Sequence, residues 1–289
     1  MPELPEVEIT ARLLDRALSG RQIESVTAPG INALKTFSPP LSALEGSRVT
    51  AVRRRGKNLI VESDGGLALL IHLMSAGRLQ LFDKLAGPRD RTSRLLVRLA
   101  PVEGGQAEEL RLREFGSKQA AWVKLLATEE LEDDEAISKL GPEAWPDPPE
   151  GESLKELLGV PRPLHALLRD QRVIAGIGRS WVDEILWEAR LSPFKRGSDL
   201  DRAEIDTLRS AMVETLGRAL AQYEEKVSLP IPDKLPMPLL VHRHEGEPCP
   251  RCGAELKAVH FEDYVIAYCP VEQTEGRILK DRRMSRLLR

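Results

Sequence analysis

Seven short apolar-rich segments between residues 22 and 126, following one helix-like stretch, constrain this chain more than any other feature of its 289 residues. They are Val49–Arg53, Leu59–Glu62, Leu67–His72, Leu79–Phe82, Leu95–Leu99, Leu110–Arg113 and Ala121–Leu126. Each is four to six residues long, the length of a strand, and Asp64-Gly65-Gly66 supplies a hairpin turn between two of them. The pattern predicts a β-sandwich or a barrel. Residues 3–19 predict the helix that precedes it. Pro5 suits a first turn, and Glu3, Glu6 and Glu8 favour the positive end of the helix dipole. Ile9, Leu13, Ala17 and Leu18 then recur at helical spacing until Gly20 stops the run.

The remainder changes character twice. Residues 141–163 are rich in Pro, Gly and acids, from Gly141-Pro142 to Pro148-Pro149, and predict a linker or loop boundary. Residues 164–226 carry a helical pattern, the proline-spaced 227–240 predicts an extended connector, and 241–273 predicts a small metal-bound hairpin. No apolar run approaches the roughly 20 residues that a membrane-spanning helix requires. The opening Met1-Pro2-Glu3-Leu4-Pro5-Glu6 places acids and prolines where a secretory signal places a basic and then an apolar stretch. Three cysteines are too few for a closed disulfide framework, so a reducing cytoplasm is the expected home.

A net charge of −3 argues against a nucleic-acid partner, because phosphate contacts want clustered Lys and Arg. The charges are segregated, however. Residues 129–135 read Glu-Glu-Leu-Glu-Asp-Asp-Glu, whereas the stretch 277–289 holds six Lys or Arg against one Asp. Arg53-Arg54-Arg55-Gly56-Lys57 is a second basic knot. Any one run is most simply a solvated face. Together they are compatible with one basic surface diluted in the total.

Three constellations could carry chemistry. Cys249-Pro250-Arg251-Cys252 and Cys269-Pro270-Val271-Glu272 are separated by 16 residues, the spacing of a two-knuckle zinc ribbon that aims four ligands at one ion. Glu272 stands where the fourth cysteine would be, and His260 in the intervening hairpin is the other candidate ligand. The plain alternative is a finger that has lost its metal and survives on packing. Next, Asp170 to Gly178 ends in Gly176-Ile177-Gly178, with Arg179 opening a helix-like run to Trp187. Glycines there let backbone N–H groups approach a phosphate, although a lone Gly-x-Gly is more often a structural turn. Third, Met1 is readily trimmed before proline, which leaves Pro2 as a secondary amine with a pKa of about 8. Such an amine can attack an electrophilic sugar carbon and form an iminium, with Glu3 beside it to move a proton. The plain alternative is a well-started helix.

Together these residues make a resemblance. Pro2-Glu3-Leu4-Pro5-Glu6-Val7-Glu8 resembles the opening of the formamidopyrimidine-DNA glycosylase and endonuclease VIII family. Gly56-Lys57-Asn58-Leu59 is similar to the family's lysine-bearing strand entry, and His72-Leu73-Met74-Ser75-Ala76-Gly77 to its His-Leu-Gly-Met-Ser-Gly loop. Arg113-Glu114-Phe115-Gly116 resembles its Arg-Arg-Phe-Gly loop, Asp170 to Gly178 its helix–two-turns–helix element, and the C-terminus its zinc finger. Six motifs in order span nearly the whole chain.

The resemblance implies an α+β multidomain protein. Residues 1–135 would form a catalytic β-sandwich with an N-terminal helix, 136–240 a linker and helix–two-turns–helix DNA-binding domain, and 241–289 a zinc-finger-like hairpin with a basic tail. The implied activity is base-excision-repair DNA glycosylase with lyase action at abasic sites. The implied partner is double-stranded DNA containing a damaged base or abasic site, met by a monomer with no membrane association. By the same resemblance Pro2 is the nucleophile, Glu3 the proton donor to the opening deoxyribose, Glu6 a supporting polar group, and Lys57 the lysine near the lesion and its phosphate. Met74, Arg113 and Phe115 correspond to the wedge that fills the hole left by a flipped nucleotide. Gly176, Gly178 and Arg179 correspond to a DNA-backbone contact, and Cys249, Cys252, Cys269 and Glu272 to the ligands of a structural zinc.

The chain also departs from the family pattern. Met74 comes one residue early after His72, Arg179 replaces the usual Asn, and Tyr264 replaces a phosphate-binding Arg, for which the basic tail could compensate. Glu114 sits where many members have a second Arg, which predicts weaker backbone contact there. Residues 227–240 are short where oxidised-purine enzymes carry a longer base-reading loop, which points toward an endonuclease VIII-like or divergent substrate range. The alternative from another class is a noncatalytic damaged-DNA-binding protein on the same fold. A zinc-ribbon interaction module would explain only the C-terminal hairpin and tail.

Overall fold

The computed structural model describes residues 2–30, 32–87, 90–102, 105–116 and 119–280. Met1 and the basic tail from residue 281 onward lie outside the described residues. The chain divides into two compact units, residues 1–138 with 220–236, and residues 139–219 with 237–289.

The first unit opens with α1 (Leu4–Leu18), whose Pro5 sits in the first turn where a missing N–H goes unnoticed. Val7, Ala11, Leu14 and Leu18 recur on one face and enter the apolar core. Eight strands follow: β1 (Ile23–Thr27), β2 (Val49–Arg55), β3 (Asn58–Ser63), β4 (Leu67–His72), β5 (Gly77–Phe82), β6 (Ser93–Leu99), β7 (Glu108–Glu114) and β8 (Trp122–Ala127). They form two antiparallel four-stranded sheets, in the orders β1-β6-β7-β5 and β2-β3-β4-β8. Alternation decides which side chains face inward. In β7, Leu110 and Leu112 are buried in the core while the intervening Arg111 and the following Arg113 are not. Leu69 and Ile71 of β4 and Val123 and Leu125 of β8 join the same cluster, which makes a sandwich.

Six of the seven segments read from the sequence lie within β2 to β7, and the seventh begins one residue before β8. Strand β1 was not among them, and its register gives the reason. A bulge between Ile23 and Ser25 puts Ile23 and Val26 into the core three residues apart, which erases the two-residue alternation. A short helix, α2 (Glu135–Ser138), follows the sandwich, and Asn58 Nδ2 donates to its Ala136 carbonyl at 3.3 Å.

The second unit contains α3 (Gly151–Leu158), α4 (Leu164–Arg169), α5 (Trp181–Glu188) and most of α6 (Arg202–Lys226). It ends in the hairpin β9 (Lys257–His260) and β10 (Val265–Tyr268), followed by α7 (Pro270–Thr274). Helix α3 lies inside the stretch expected to be a linker. It buries only Leu154, Leu158 and Gly151, too few apolar positions to show a period among the surrounding prolines and acids. The grouping also differs from the expected division at 136–240 and 241–289. Tyr223 and Val227 pack with Ile9 of α1, so the end of α6 belongs with the sandwich. The hairpin strands have four residues each, too little surface for a core of their own. Cys249, Leu256 and Cys269 instead pack with Trp187 of α5 and Val241. Among the described residues, no helix is long and apolar enough to cross a membrane.

Candidate active site and nucleic-acid interface

Glu3 and Glu6 are both buried, at 2% and 4% exposure, which is unusual enough for carboxylates to require partners. Glu3 is the extended residue before α1, so Pro2 precedes the helix rather than joining it. One Glu6 oxygen, Oε2, accepts the Glu3 backbone N–H at 2.8 Å, and the other, Oε1, accepts the Tyr223 hydroxyl at 2.7 Å. Burial, and then the adjacent Glu6 charge, push the Tyr223 phenol far above its ordinary pKa, so it remains a donor. Glu6 thus fixes the start of the chain from both oxygens.

Lys57 is the second residue of the tight turn between β2 and β3 and is buried at 7% exposure. Arg54 holds this turn, donating to Glu8 of α1 at 2.8 Å and to the Gly56 carbonyl at 3.1 Å. Arg53 is paired with Glu62 at 2.7 Å. These two arginines of the basic knot are therefore engaged in structural ion pairs. His72, at the end of β4, stacks on Trp122 with ring centroids 5.6 Å apart. Burial and then the Lys57 charge hold its pKa down to about 4. A neutral His72 whose Nδ1 takes the Met74 N–H at 3.0 Å must carry its own proton on Nε2. That contact holds Met74 in the left-handed region, with φ +50°. The turn closes on Gly77, where a Cβ would stand 2.4 Å from the Leu73 carbonyl oxygen.

Arg113, next to last in β7, lies between two rings, its guanidinium 5.3 Å from the centroid of Phe82 and 4.7 Å from that of Phe115. It also donates to Gln80 at 3.2 Å and Asp233 at 3.3 Å. Phe115 is 39% exposed, which is unlike core packing and suits a side chain offered to a partner. Glu114 turns away from solvent. It is 1% exposed, accepts the N–H groups of Ala120 and Ala121 at 2.8 and 2.9 Å, and lies 3.7 Å from the buried Arg94. Alternation turns it inward, so its charge organises the loop after β7 rather than facing outward. The connector is pinned too, because Gln80 donates to the Ile231 carbonyl at 2.5 Å and to Asp233 at 3.1 Å.

In the second unit Gly176 adopts φ +103°, and Gln171 clamps the turn. Its side chain accepts from Gly176 at 2.9 Å and donates to the Ile177 carbonyl at 2.8 Å. Arg179, just beyond Gly178, donates to the carbonyl and the carboxylate of Asp263, both at 2.6 Å. Asp183 and Glu184 of α5 anchor the rest. Asp183 accepts from Ala267 of β10 at 2.9 Å and lies 2.7 Å from His242 Nδ1, while Glu184 accepts the N–H groups of Leu240, Val241 and His242. Burial raises both carboxyl groups, Asp183 to about 6.

The three cysteine sulfurs lie within 4.8 Å of one another, with Cys252 and Cys269 3.5 Å apart. Thiolates on one tetrahedral zinc stand about 3.8 Å apart, given a Zn–S distance of about 2.3 Å. Backbone N–H groups of Cys252 and Arg251 point at the Cys249 sulfur, and those of Glu272 and Val271 at the Cys269 sulfur. Such donors favour a thiolate, so this donor set fits a metal ion. Neither expected fourth ligand joins the cluster. The Glu272 carboxylate is flanked by Arg190 and Arg251, each 3.1 Å away, and His260 is paired with Glu245 at 2.9 Å.

Two family models match the chain. One describes the formamidopyrimidine-DNA glycosylase N-terminal domain, over residues 1–117, and the other the formamidopyrimidine-DNA glycosylase H2TH domain, over residues 140–230. The chain is also 31% identical over 280 residues to the formamidopyrimidine-DNA glycosylase of Lactococcus lactis subsp. cremoris, covering 94% of this chain and 99% of the relative. It belongs to the formamidopyrimidine-DNA glycosylase family. The Moorella thermoacetica member is 33% identical over 270 residues, covering 90% of this chain and 94% of its own. Among solved structures of the family, the wild-type Lactococcus lactis enzyme in complex with DNA containing N7-benzyl-Fapy-dG superposes with a TM-score of 0.82. It is 27% identical and covers 94% of this chain and 100% of that one. The same enzyme in complex with abasic-site DNA gives 0.81, at 27% identity and 94% and 99% coverage.

Within this family frame, sequence reasoning found the N-terminal acids but missed Tyr223. No local pattern links a helical tyrosine to a carboxylate 217 positions away. It likewise missed the buried Asp183–His242 pair, whose partners come from separate elements.

Proposed function

We infer that the chain is a base-excision-repair DNA glycosylase that also opens the abasic site it makes, through the amine of Pro2. The observation that carries this reading is the double tether of Glu6, which fixes the Glu3 backbone and so the position of the N-terminus. The Pro2 nitrogen bonds to the deoxyribose C1′ as the glycosidic bond breaks and the base leaves. Loss of the nitrogen's proton and opening of the C1′–O4′ bond, with a proton from Glu3 to O4′, give an iminium. Lyase cleavage follows by elimination from that adduct. Lys57 supplies the buried cation near the lesion phosphate, and Met74, Arg113 and Phe115 fill the space of the flipped nucleotide. The substrate is duplex DNA with a damaged base or an abasic site, met by a monomer in the cytoplasm. Cys249, Cys252 and Cys269 would hold a structural zinc, which supplies rigidity to the hairpin and takes no part in the reaction.

Borohydride trapping on abasic-site duplex tests the reading without a choice of damaged base. An iminium-forming enzyme becomes covalently attached, and Pro2→Gly abolishes or sharply reduces the adduct. Undiminished trapping by Pro2→Gly overturns the assignment, and binding of the duplex without any trapping by the native chain favours the noncatalytic alternative.

A further inference from the structure

Phe115 and Met74 stand on two separate turns of the first unit, one after β7 and one between β4 and β5, and both turns root at a single buried carboxylate. Glu114 immediately precedes Phe115. Alternation after Leu110 and Leu112 points its side chain inward, to the rim of the core. From there Oε1 accepts the Ala120 N–H at 2.8 Å and Oε2 the Ala121 N–H at 2.9 Å. One side chain therefore holds the far end of the segment that Phe115 begins. The near end is fixed as well, because the Glu114 N–H donates to the Thr92 carbonyl at 2.9 Å.

The Met74 turn meets the same point. Gly77 donates its N–H to the Leu73 carbonyl at 2.8 Å, which closes the turn around Met74, and Gly77 is the cross-strand partner of Glu114 in the β5–β7 ladder. A Cβ on Gly77 would stand 3.0 Å from the Ala121 side chain, so the residue held by Oε2 lies directly against this turn. A carboxylate this deep requires a counter-charge. Arg94 of β6, also buried, brings its Nε to 3.7 Å from Oε2 and donates from Nη1 to the Gln119 side chain at 2.8 Å. Gln119 in turn donates to the Glu114 carbonyl at 3.2 Å. Gly30 leaves the room for this guanidinium, since a Cβ there would stand 2.6 Å from Nη1.

We propose that Glu114, with Arg94 as its counter-charge, is the positioning residue of the wedge, holding the Phe115 loop and the Met74 turn in one register so that both enter the duplex together. The proposal rests on the wedge reading above. A side chain that enters a base stack from an unordered loop carries the cost of ordering that loop into the insertion step, and a root fixed on folding removes it. Glu114 works from beneath the loop and meets no DNA itself.

The test follows the fluorescence of a 2-aminopurine placed beside an abasic site, which rises when the wedge unstacks it, in stopped-flow mixing with the full chain. Glu114→Gln turns an amide N–H toward one of the two backbone N–H groups and leaves Arg94 without its counter-charge. The rise slows on the order of tenfold. Affinity for undamaged duplex, which is set by phosphate attraction and needs no insertion, stays at the native value. In the Met74→Ala, Phe115→Ala double variant the same substitution has no further effect, because a positioning residue acts only through what it positions. A slowing that persists there is a general loss of structure and overturns the assignment. Gln119→Ala decides the matter if Glu114→Gln does not fold. That half-buried side chain is an acceptor of Arg94, and its loss slows the rise several-fold. A native rate in Glu114→Gln, or in Gln119→Ala where the first variant does not fold, overturns the proposal alone. A native rate in the Met74→Ala, Phe115→Ala variant overturns the wedge reading and this proposal with it.

Discussion

The Tyr223 hydroxyl and the Glu6 carboxylate meet at 2.7 Å, both buried, and this single bond ties the last turns of a 25-residue helix to the first turn of the chain. Its effect reaches the N-terminus because the second Glu6 oxygen holds the Glu3 N–H at 2.8 Å.

Tyr223→Phe keeps the ring and removes only the donor. A hydrogen bond to a charged group contributes roughly 1.5–3 kcal/mol, so a stability loss of about that size is expected by denaturant titration. The borohydride-trapping rate at saturating abasic duplex is expected to fall on the order of tenfold, with a much smaller change in duplex Kd. Native trapping kinetics in this variant would show that the tether does not position the N-terminus.

Glu3→Gln preserves shape and removes the transferable proton. Excision in single-turnover assays is expected to fall on the order of a hundredfold, the usual scale for a general acid. Binding is expected to hold or to tighten slightly, since the lost charge is of the same sign as DNA. Unchanged excision would count heavily against Glu3 as the proton donor.

His72 predicts a pH dependence of stability. The folded protein holds its imidazole at about 4, below the ordinary 6.5, so the unfolded chain binds the extra proton between those values. The stability tied to neutral His72 is therefore complete above about pH 6.5 and is lost as pH falls toward about 4. His72→Asn retains an acceptor for the Met74 N–H but does not titrate. Its stability profile, measured by urea titration from pH 7 to 4.5, is expected to fall less steeply than that of the native chain. Parallel profiles would mean that burial and Lys57 do not hold His72 neutral.

Metal analysis of the purified chain is expected to find about one zinc per molecule, held by Cys249, Cys252 and Cys269. Chelation is expected to loosen the hairpin and weaken duplex binding more than it slows trapping, because the three thiols belong to the second unit and Pro2 to the first. Cys252→Ser is expected to lower zinc occupancy, whereas Glu272→Gln leaves it intact, since that carboxylate serves Arg190 and Arg251. A zinc-free protein with full duplex affinity would make the finger a packing element.

Much of this protein was legible in its amino-acid order, because the deciding forces were local. Alternation in Leu110–Arg113 set which side chains face the core, Pro5 and the early glutamates started α1, and Cys-x-x-Cys brought two thiols into one tight turn. Whatever depended on partners distant along the chain was decided only by tertiary structure. Folding turned Glu114 inward to serve Ala120, Ala121 and Arg94, and set Glu272 beside two arginines. It hid β1 behind a bulge, joined the end of α6 to the sandwich, and brought Tyr223 to Glu6. The physical reason is common to the three glutamates. A buried charge must find a partner wherever the fold places one, and sequence spacing carries no record of which residue that is.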